Sequence, residues 1–210
     1  MAETKSLSQF KSKLAGGGAR TNLFEVSIPS FPGAVSEAWG SGDDGENGTF
    51  KFLCKAANLP ASIVNTVDIP FRGRTLKVAG DRTINDWQVT VINDEDFRLR
   101  TAFERWANAL SKLDDATGVS NPTSYMTDAF VQQLGRGATQ FATSNDGGES
   151  VVLRTYKFYD IWPENISEIN LSYDGNPDIE EFTVNFKVQY FTIGDSLQSN
   201  GGNQGEVLIR

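Results

Sequence analysis

Histidine is absent from the chain, so the commonest general base and the commonest metal ligand are both missing. A single cysteine, Cys54, leaves no partner for an internal disulfide. Cys54 falls in an alternating row with Phe50 and Phe52, expected as one face of a strand from Thr49 to Ala56, so it reads as a small core residue and not as a nucleophile. No apolar run approaches the roughly 18 residues that cross a bilayer, and Met1-Ala2-Glu3 does not open a secretory signal. A cytoplasmic place of synthesis, with no membrane anchor, is the expectation. Positive charge is also scarce: 19 Lys and Arg stand against 27 Asp and Glu, a net charge of −8. Gripping nucleic acid needs a surplus of cations at the phosphates, so that task is excluded. Nucleic acid that passes by without being held is not.

Catalytic constellations are equally scarce. Gly16-Gly17-Gly18-Ala19-Arg20 lacks the preceding strand and the terminal Lys-Ser/Thr of a phosphate loop, so it reads as a linker. Asp43-Asp44, Asp114-Asp115 and Glu180-Glu181 are neighbours in sequence, and neighbours on a strand point to opposite faces, whereas a glycosidase pair must face across a cleft. The acidic stretch from Asp43 lacks the oxygen-ligand spacing of a calcium loop. No catalytic, metal-binding or cofactor-binding residue is assigned, and the expectation is a protein that is not an enzyme.

What the chain does have is concentrated in residues 78–113. Trp87, Val89 and Val91 alternate with Asp86, Gln88 and Thr90, the period of a half-buried strand. The period then changes: Leu99, Ala102, Phe103, Trp106, Leu110 and Leu113 recur at three and four, which predicts one apolar stripe of a helix. Asn93-Asp94-Glu95-Asp96 lies between the two and is expected to break the strand and cap the helix. Burying the six stripe residues would contribute on the order of 10 kcal/mol before entropy is counted. The core helix, with Leu99, Phe103, Trp106 and Leu110 at its centre, is expected to lie across an open sheet or barrel and close its core.

The rest of the chain reads as strands and turns. Residues 1–20 form a polar arm with a turn or two of helix through Leu7, Phe10 and Leu14, freed by three glycines. A strand from Asn22 to Ile28 follows, then a long loop through Pro29, Pro32 and Gly40–Gly48 that carries Trp39. Leu59-Pro60 turns the chain into a hairpin whose arms are Ile63–Ile69 and Thr75–Val78, with Pro70-Phe71-Arg72-Gly73-Arg74 at the tip. That basic tip on an acidic protein suggests docking on an acidic surface of another subunit. After the helix come a polar loop (Asp114–Asn121), a strand within Tyr125–Leu134, a hairpin end (Gly135–Gly148), a strand over Ser150–Trp162, a turn at Pro163-Glu164-Asn165, a segment Ile166–Tyr173, and a turn at Asp174-Gly175-Asn176-Pro177. Phe182, Val184, Phe186, Val188 and Tyr190 then alternate over a last strand. The pattern predicts an antiparallel β-sandwich or barrel with one main α-helix over residues 21–193, flanked by flexible segments 1–20 and 194–210.

Several pieces together carry a resemblance: Cys54-Lys55-Ala56, Leu59-Pro60-Ala61, Val78-Ala79-Gly80-Asp81-Arg82-Thr83, Asp86-Trp87 and Val91-Ile92-Asn93-Asp94-Glu95, with Asn22-Leu23-Phe24 before and Trp162-Pro163 and Phe182-Thr183-Val184 after. In this order and spacing the chain resembles the tail tube proteins of contractile-tailed, T-even-like bacteriophages over residues 20–191. The resemblance implies β-sheets packed around a helix, and a structural virion protein assembled as homohexameric rings. The rings would stack into a hollow inner tube through which phage DNA is ejected. It implies sheath, baseplate and tail terminator proteins as partners, a place in the virion after assembly in the host cytoplasm, and DNA that crosses the lumen without specific binding. Candidates for subunit contact are Asn22, Leu59, Pro60, Arg72, Arg74, Asp81 and Arg82. Asp81-Arg82 reads either as a tight turn with a local ion pair or as part of a subunit boundary. Departures from the family pattern are the Pro29–Gly48 loop, the Asp114–Gly148 region and the segment after Phe191. Alternatives are a tube-initiating baseplate subunit, the tube of a related contractile injection system, and a carbohydrate-binding or adhesin-like β module.

An acidic wall would repel DNA and keep it on the axis of such a tube, and polar faces of sheet strands are the expected source of that wall. The arm generates a separate expectation. Residues 1–20 should be cut rapidly by protease in the free subunit and protected after assembly; equal resistance in both states would refute an arm that orders on a neighbour.

Overall fold

Alternation and helical periodicity in the central stretch translate directly into structure. In the computed structural model, which describes residues 7–13, 18–29, 31–32, 50–51, 53–135, 152–173 and 179–195, the elements in chain order are α1 (Leu7–Lys13), β1 (Phe24–Ser27), β2 (Cys54–Ala57), β3 (Ser62–Phe71), β4 (Arg74–Ile84), β5 (Trp87–Ile92), α2 (Arg98–Leu110), β6 (Thr127–Leu134), β7 (Val152–Ile166), β8 (Glu181–Lys187) and β9 (Tyr190–Asp195). One seven-stranded sheet has the order β1-β6-β7-β8-β5-β2, with β9 also paired to β7, and β3 and β4 form a separate two-stranded sheet. The pairs β2–β5, β5–β8 and β7–β8 are antiparallel. This is the mainly β, antiparallel architecture with one main helix that the pattern predicted. The chain divides into two compact units, residues 1–25, 131–156 and 192–210, and residues 26–130 and 157–191.

The larger unit holds the main core. Trp87, Val89 and Val91 of β5 and Val184 and Phe186 of β8 are fully buried, and the register sets Trp87 opposite Phe186 and Val89 opposite Val184. Leu99, Phe103 and Trp106 of α2 are also fully buried. The Phe103 ring lies edge-on to Phe182 at 6.2 Å, to Phe186 at 5.9 Å and to Phe50 at 5.9 Å. Trp106 meets Phe186 at 6.0 Å and Phe31 at 4.8 Å, and its indole N–H donates to the Tyr125 carbonyl at 2.8 Å. Arg100 seals the flank, with its guanidinium 5.2 Å from the Phe182 ring centre and donating to the Ser167 carbonyl at 2.8 Å. Cys54 is buried in this unit, and burial pushes its thiol up to about 12, which removes the thiolate needed for reactivity.

In the smaller unit, α1 is a short helix with Leu7 and Phe10 exposed. The Gln133 side-chain amide donates to the carbonyls of Arg20 and Leu23 at 2.7 and 2.6 Å, and the Leu134 N–H donates to the Leu23 carbonyl at 2.9 Å.

Several expectations fail for identifiable reasons. The helix stops at Leu110, which is half-buried, and Leu113 is 98% exposed beyond it. Here the chain doubles back, with the Val119 N–H donating to the Ala109 carbonyl at 3.0 Å. Gly118 permits this return, because a Cβ there would lie 2.0 Å from the Leu110 carbonyl oxygen. No acidic side chain caps α2: Phe97 holds the cap position at φ 54 without a side-chain bond. The Asn93 amide instead donates to Glu180 at 2.9 Å, and Asp96 pairs with Arg98 at 2.9 Å.

The first strand begins at Phe24, after a turn at Asn22. Strand β2 begins only at Cys54: residues 50, 51 and 53 are helical, so Phe50 reaches the core without sharing a strand face, and Phe52 lies outside the described residues. Pro163 does not turn the chain. It sits inside β7 opposite Phe186, and the extra residue at Glu164 bulges the strand, a place where a missing ladder donor is tolerated. Ile166 closes that strand, and residues 167–173 form none. The last alternating stretch is two strands, β8 and β9, broken at Val188-Gln189, and the second runs to Asp195, past the expected boundary at residue 193. Leu14, Trp39, the Gly135–Gly148 end beyond Gly135 and the turn at Asp174–Pro177 lie outside the described residues.

The other face of β5 and β8 is polar. Gln88 faces Asn185, Thr90 faces Thr183 with hydroxyls 3.4 Å apart, and Ile92 faces Glu181, which pairs with Lys55. Lys187 donates to Asp86 at 2.8 Å and sits 2.9 Å from Glu164, joining the residue before β5 to β7 and β8. The hydrogen bonds to Asp86 and Glu164 hold its ammonium above the usual lysine range.

Trp106→Ala should destabilise the subunit by roughly 3–5 kcal/mol, since it empties the centre of the stripe and orphans the Tyr125 carbonyl; a urea melt of dilute subunit that matches wild type would show that Trp106 does not hold the core. A raised lysine pKa contributes stability that is complete below the unfolded value, about 10.4, and is lost as pH rises through the folded value. Lys187→Met should therefore flatten the alkaline limb of a melting-temperature profile above about pH 10, and an unchanged limb would count against the triad.

Candidate functional site

The hairpin β3–β4 is the part of the larger unit that its own core does not claim. Every residue of β3 is exposed, and in β4 only Gly80 and Ile84 are partly covered. Each arm is about 30 Å long at 3.3 Å per residue. Its turn is tight: Phe71 pairs with Arg74 across Arg72 and Gly73, whose φ values of 45 and 78 give the left-handed pair that suits the twist of a two-residue hairpin loop.

The register makes the hairpin two-faced. Ile69 faces Leu76 and Val67 faces Val78, and Ile63 and Phe71 lie on the same side of β3. These six side chains are 40 to 67% exposed. On the reverse side, Asp68 faces Lys77, Thr66 faces Ala79, Pro70 faces Thr75 and Val64 faces Arg82. The two faces stay distinct despite a bulge between Val64 and Thr66, where Asn65 is opposed by both Gly80 and Asp81. Gly80 lets the two strands approach closely there, since a Cβ would lie 3.0 Å from Val67 Cγ2 and 3.1 Å from the Asn65 carbonyl oxygen. An apolar face of this size, left open on a projecting arm, is the signature of a surface meant for a partner.

At the hairpin's root the chain is fastened to β5. Asn58 accepts from the Gln88 N–H through Oδ1 at 2.7 Å and donates to the Gln88 carbonyl at 3.1 Å, and the Asn85 N–H donates to the Ala61 carbonyl at 3.0 Å. A polar cleft of about 610 Å³ opens here, lined by Asn58, Asn85, Asp86, Gln88 and Asn185 among others. Its single carboxylate is tied to Lys187. The cleft offers amides, not a pair of poised acid and base groups. Among the described residues no group of acidic or cysteine side chains is arranged to hold a metal ion, and no helix is long and apolar enough to cross a membrane.

The structure gathers most of the predicted contact residues on this element. Arg72 is in the turn, Arg74 opens β4, and Asp81 and Arg82 lie exposed within β4, so the reading of those two as a tight turn is replaced by strand. Among the described residues they form no ion pair with each other, because adjacent strand residues point apart. Leu59, 46% exposed, stands at the root, whereas Pro60 beside it is buried. Asn22 is exposed in the smaller unit, away in sequence from the hairpin. Attention to the basic tip missed the apolar face: Ile63, Val67, Ile69 and Phe71 at odd positions already carried the signal.

Comparison with known proteins bears on the family and the fold. The family model for phage tail tube proteins matches residues 19–194. The chain is 34% identical over 178 residues to tail tube protein gp19 of Enterobacteria phage T4, covering 84% of this chain and 93% of the relative, and the same figures hold for that of phage T6. A tail tube protein of Serratia phage KSP90 is 22% identical over 184 residues, covering 87% and 93%. In fold, the chain is similar to a chain in the baseplate structure of the anti-feeding prophage, with a TM-score of 0.55 at 11% identity over 84% of this chain and 95% of that one. A chain in the sheath and tube terminator structure of an extracellular contractile injection system gives 0.52 at 13% identity over 84% and 96%. On its sequence over most of its length and on its fold, this chain belongs to the phage tail tube protein family.

Proposed function

We propose that this protein is the building block of a bacteriophage tail tube: copies close into hexameric rings, the rings stack, and the bore conducts DNA into the host. The observation that carries this reading is the apolar face of β3–β4, a long surface that one copy leaves uncovered. A second copy is the occupant, because a tube of identical subunits offers the same neighbour at every position. Covering six roughly half-exposed side chains would contribute about 5–9 kcal/mol. Association costs on the order of 4–15 kcal/mol, so one hairpin alone is near break-even. Ring closure changes that balance, since each copy then both gives and receives a hairpin. The role is structural, not catalytic.

The polar face of β5 and β8 is the wall we assign to the bore. It presents Gln88, Thr90, Thr183 and Asn185, and its two lysines, Lys55 and Lys187, are already engaged by three carboxylates, Glu181, Asp86 and Glu164. Paired lysines have no free charge to exchange for the counterions of DNA, so the strand would slide without being held. Sheath, baseplate and terminator proteins are the partners such a tube requires at its outside and ends, and the virion is its place. Residues 1–20 and 194–210 are proposed as further contact segments. A tube initiator, or the tube of a related injection machine, would use the same surface with different neighbours.

Purified full-length protein at high concentration should form rings and long stacked tubes in electron micrographs; short plugs would indicate an initiator, and persistent monomers would overturn the proposal. Val67→Asp combined with Ile69→Asp should leave the near-ultraviolet circular dichroism of the subunit unchanged, because neither side chain is in the core, while lowering tube yield by at least about tenfold. Tubes formed as readily as by wild type would mean the hairpin face is not the contact.

A further inference from the structure

The hairpin turn is a concentrated basic feature of an acidic chain, and among the described residues neither Arg72 nor Arg74 has an ion-pair partner. Arg72 is held in a left-handed turn conformation, and its guanidinium carbon lies 5.4 Å from the centre of the Phe71 ring. The turn therefore presents a cation on a short, constrained loop.

A second feature of the larger unit has the opposite chemistry. Tyr159 of β7 and Tyr190 of β9 stack, with ring centres 4.4 Å apart and planes inclined by 11°. Lys157 sits 4.2 Å from the Tyr159 ring centre and 3.2 Å from an Asp128 carboxylate oxygen, so its charge is answered within the subunit. Asp160 is not answered in this way: it is exposed and has no ion pair among the described residues. Its φ of 53 places a left-handed residue within β7, a conformation that non-glycine residues seldom adopt in a strand. Tyr190 is 48% exposed. The Gln189 N–H donates to the Tyr159 carbonyl at 3.3 Å where β9 pairs with β7, which sets the backbone of Tyr190 beside that of Asp160, and desolvation, followed by the Asp160 carboxylate, holds the Tyr190 hydroxyl above the usual tyrosine range.

An exposed aromatic ring next to an unanswered carboxylate is a receptor for a guanidinium, which stacks on the first and pairs with the second. We propose that the Phe71–Arg74 turn of one copy docks on the Tyr190–Asp160 patch of a neighbouring copy, with Arg72 pairing with Asp160 over the Tyr190 ring. This rests on the tube reading above and names the receiving surface that it left open. The apolar face of the hairpin supplies contact area, and the turn supplies register, because a charge pair at the end of a long arm penalises any shifted arrangement.

The test is a charge exchange in the full chain, read as pelleted tube yield and checked by electron microscopy at moderate salt. Arg72→Asp should lower the yield about tenfold, and so should Asp160→Asn, which keeps a residue tolerant of the left-handed conformation. Arg72→Asp together with Asp160→Arg on one chain should return the yield to within about threefold of wild type. Thermal melts of the dilute subunits establish that each variant is folded; if the Asp160→Arg chain is not, oxidative crosslinking of tubes carrying Arg72→Cys and Asp160→Cys decides, with an interchain ladder expected. Wild-type yield from either single variant, a folded double variant without recovery, or tubes without a ladder would overturn the docking while leaving the tube intact. Wild-type protein that forms no rings would overturn the tube reading itself.

Discussion

The seating of α2 on the sheet is the interaction on which the rest depends. Phe103 meets Phe50, Phe182 and Phe186, and Trp106 bridges Phe31, Phe186 and the Tyr125 carbonyl. A sheet has two faces, and here one is consumed by these aromatic contacts. Trp87, Val89, Val91, Val184 and Phe186 therefore point one way, and Gln88, Thr90, Thr183 and Asn185 are left pointing the other. The same packing that closes the core thus creates a continuous polar surface, which suits a wall facing water.

The hairpin follows from the same closure. Once α2 covers the apolar face of β5 and β8, the side chains of β3 and β4 have no place in that core, although Ile63, Val67, Ile69, Leu76 and Val78 are as apolar as the residues inside it. The subunit fastens the hairpin's root through Asn58, Asn85 and the Lys187–Asp86–Glu164 cluster, and leaves its length free of its own core. The single copy thus leaves an apolar surface uncovered, the one that the proposed tube would satisfy with another copy.

Much of this was legible in the chain. The strand around Trp87-Val89-Val91, the helix through Leu99, Phe103 and Trp106 and the hairpin around Arg72-Gly73 follow from local periodicity and composition, which act over a few residues and survive in any context. Sequence order also carried the family, because its motifs are contiguous. Tertiary context decided the rest. Leu113 has the right spacing for the stripe, yet Gly118 lets the chain fold back and end the helix first. Asn93 has the right chemistry for a cap, yet the helix begins only at Arg98, past its reach, and the Asn93 amide donates to Glu180, distant in sequence. Pro163 reads as a turn, yet a bulge against β8 absorbs it.

The candidate surface divides in the same way. Alternation along β3 is a local property, so the apolar row of the hairpin is written in the chain. That the row stays uncovered is not, because exposure depends on what else competes for the core. Nor does the chain reveal that Tyr159 and Tyr190 stack, since Tyr190 reaches Tyr159 only when β9 folds back onto β7. Periodicity determines which side of an element is apolar; only the assembled sheet decides which of those sides are already occupied, because burial is a property of neighbours that the sequence does not place together.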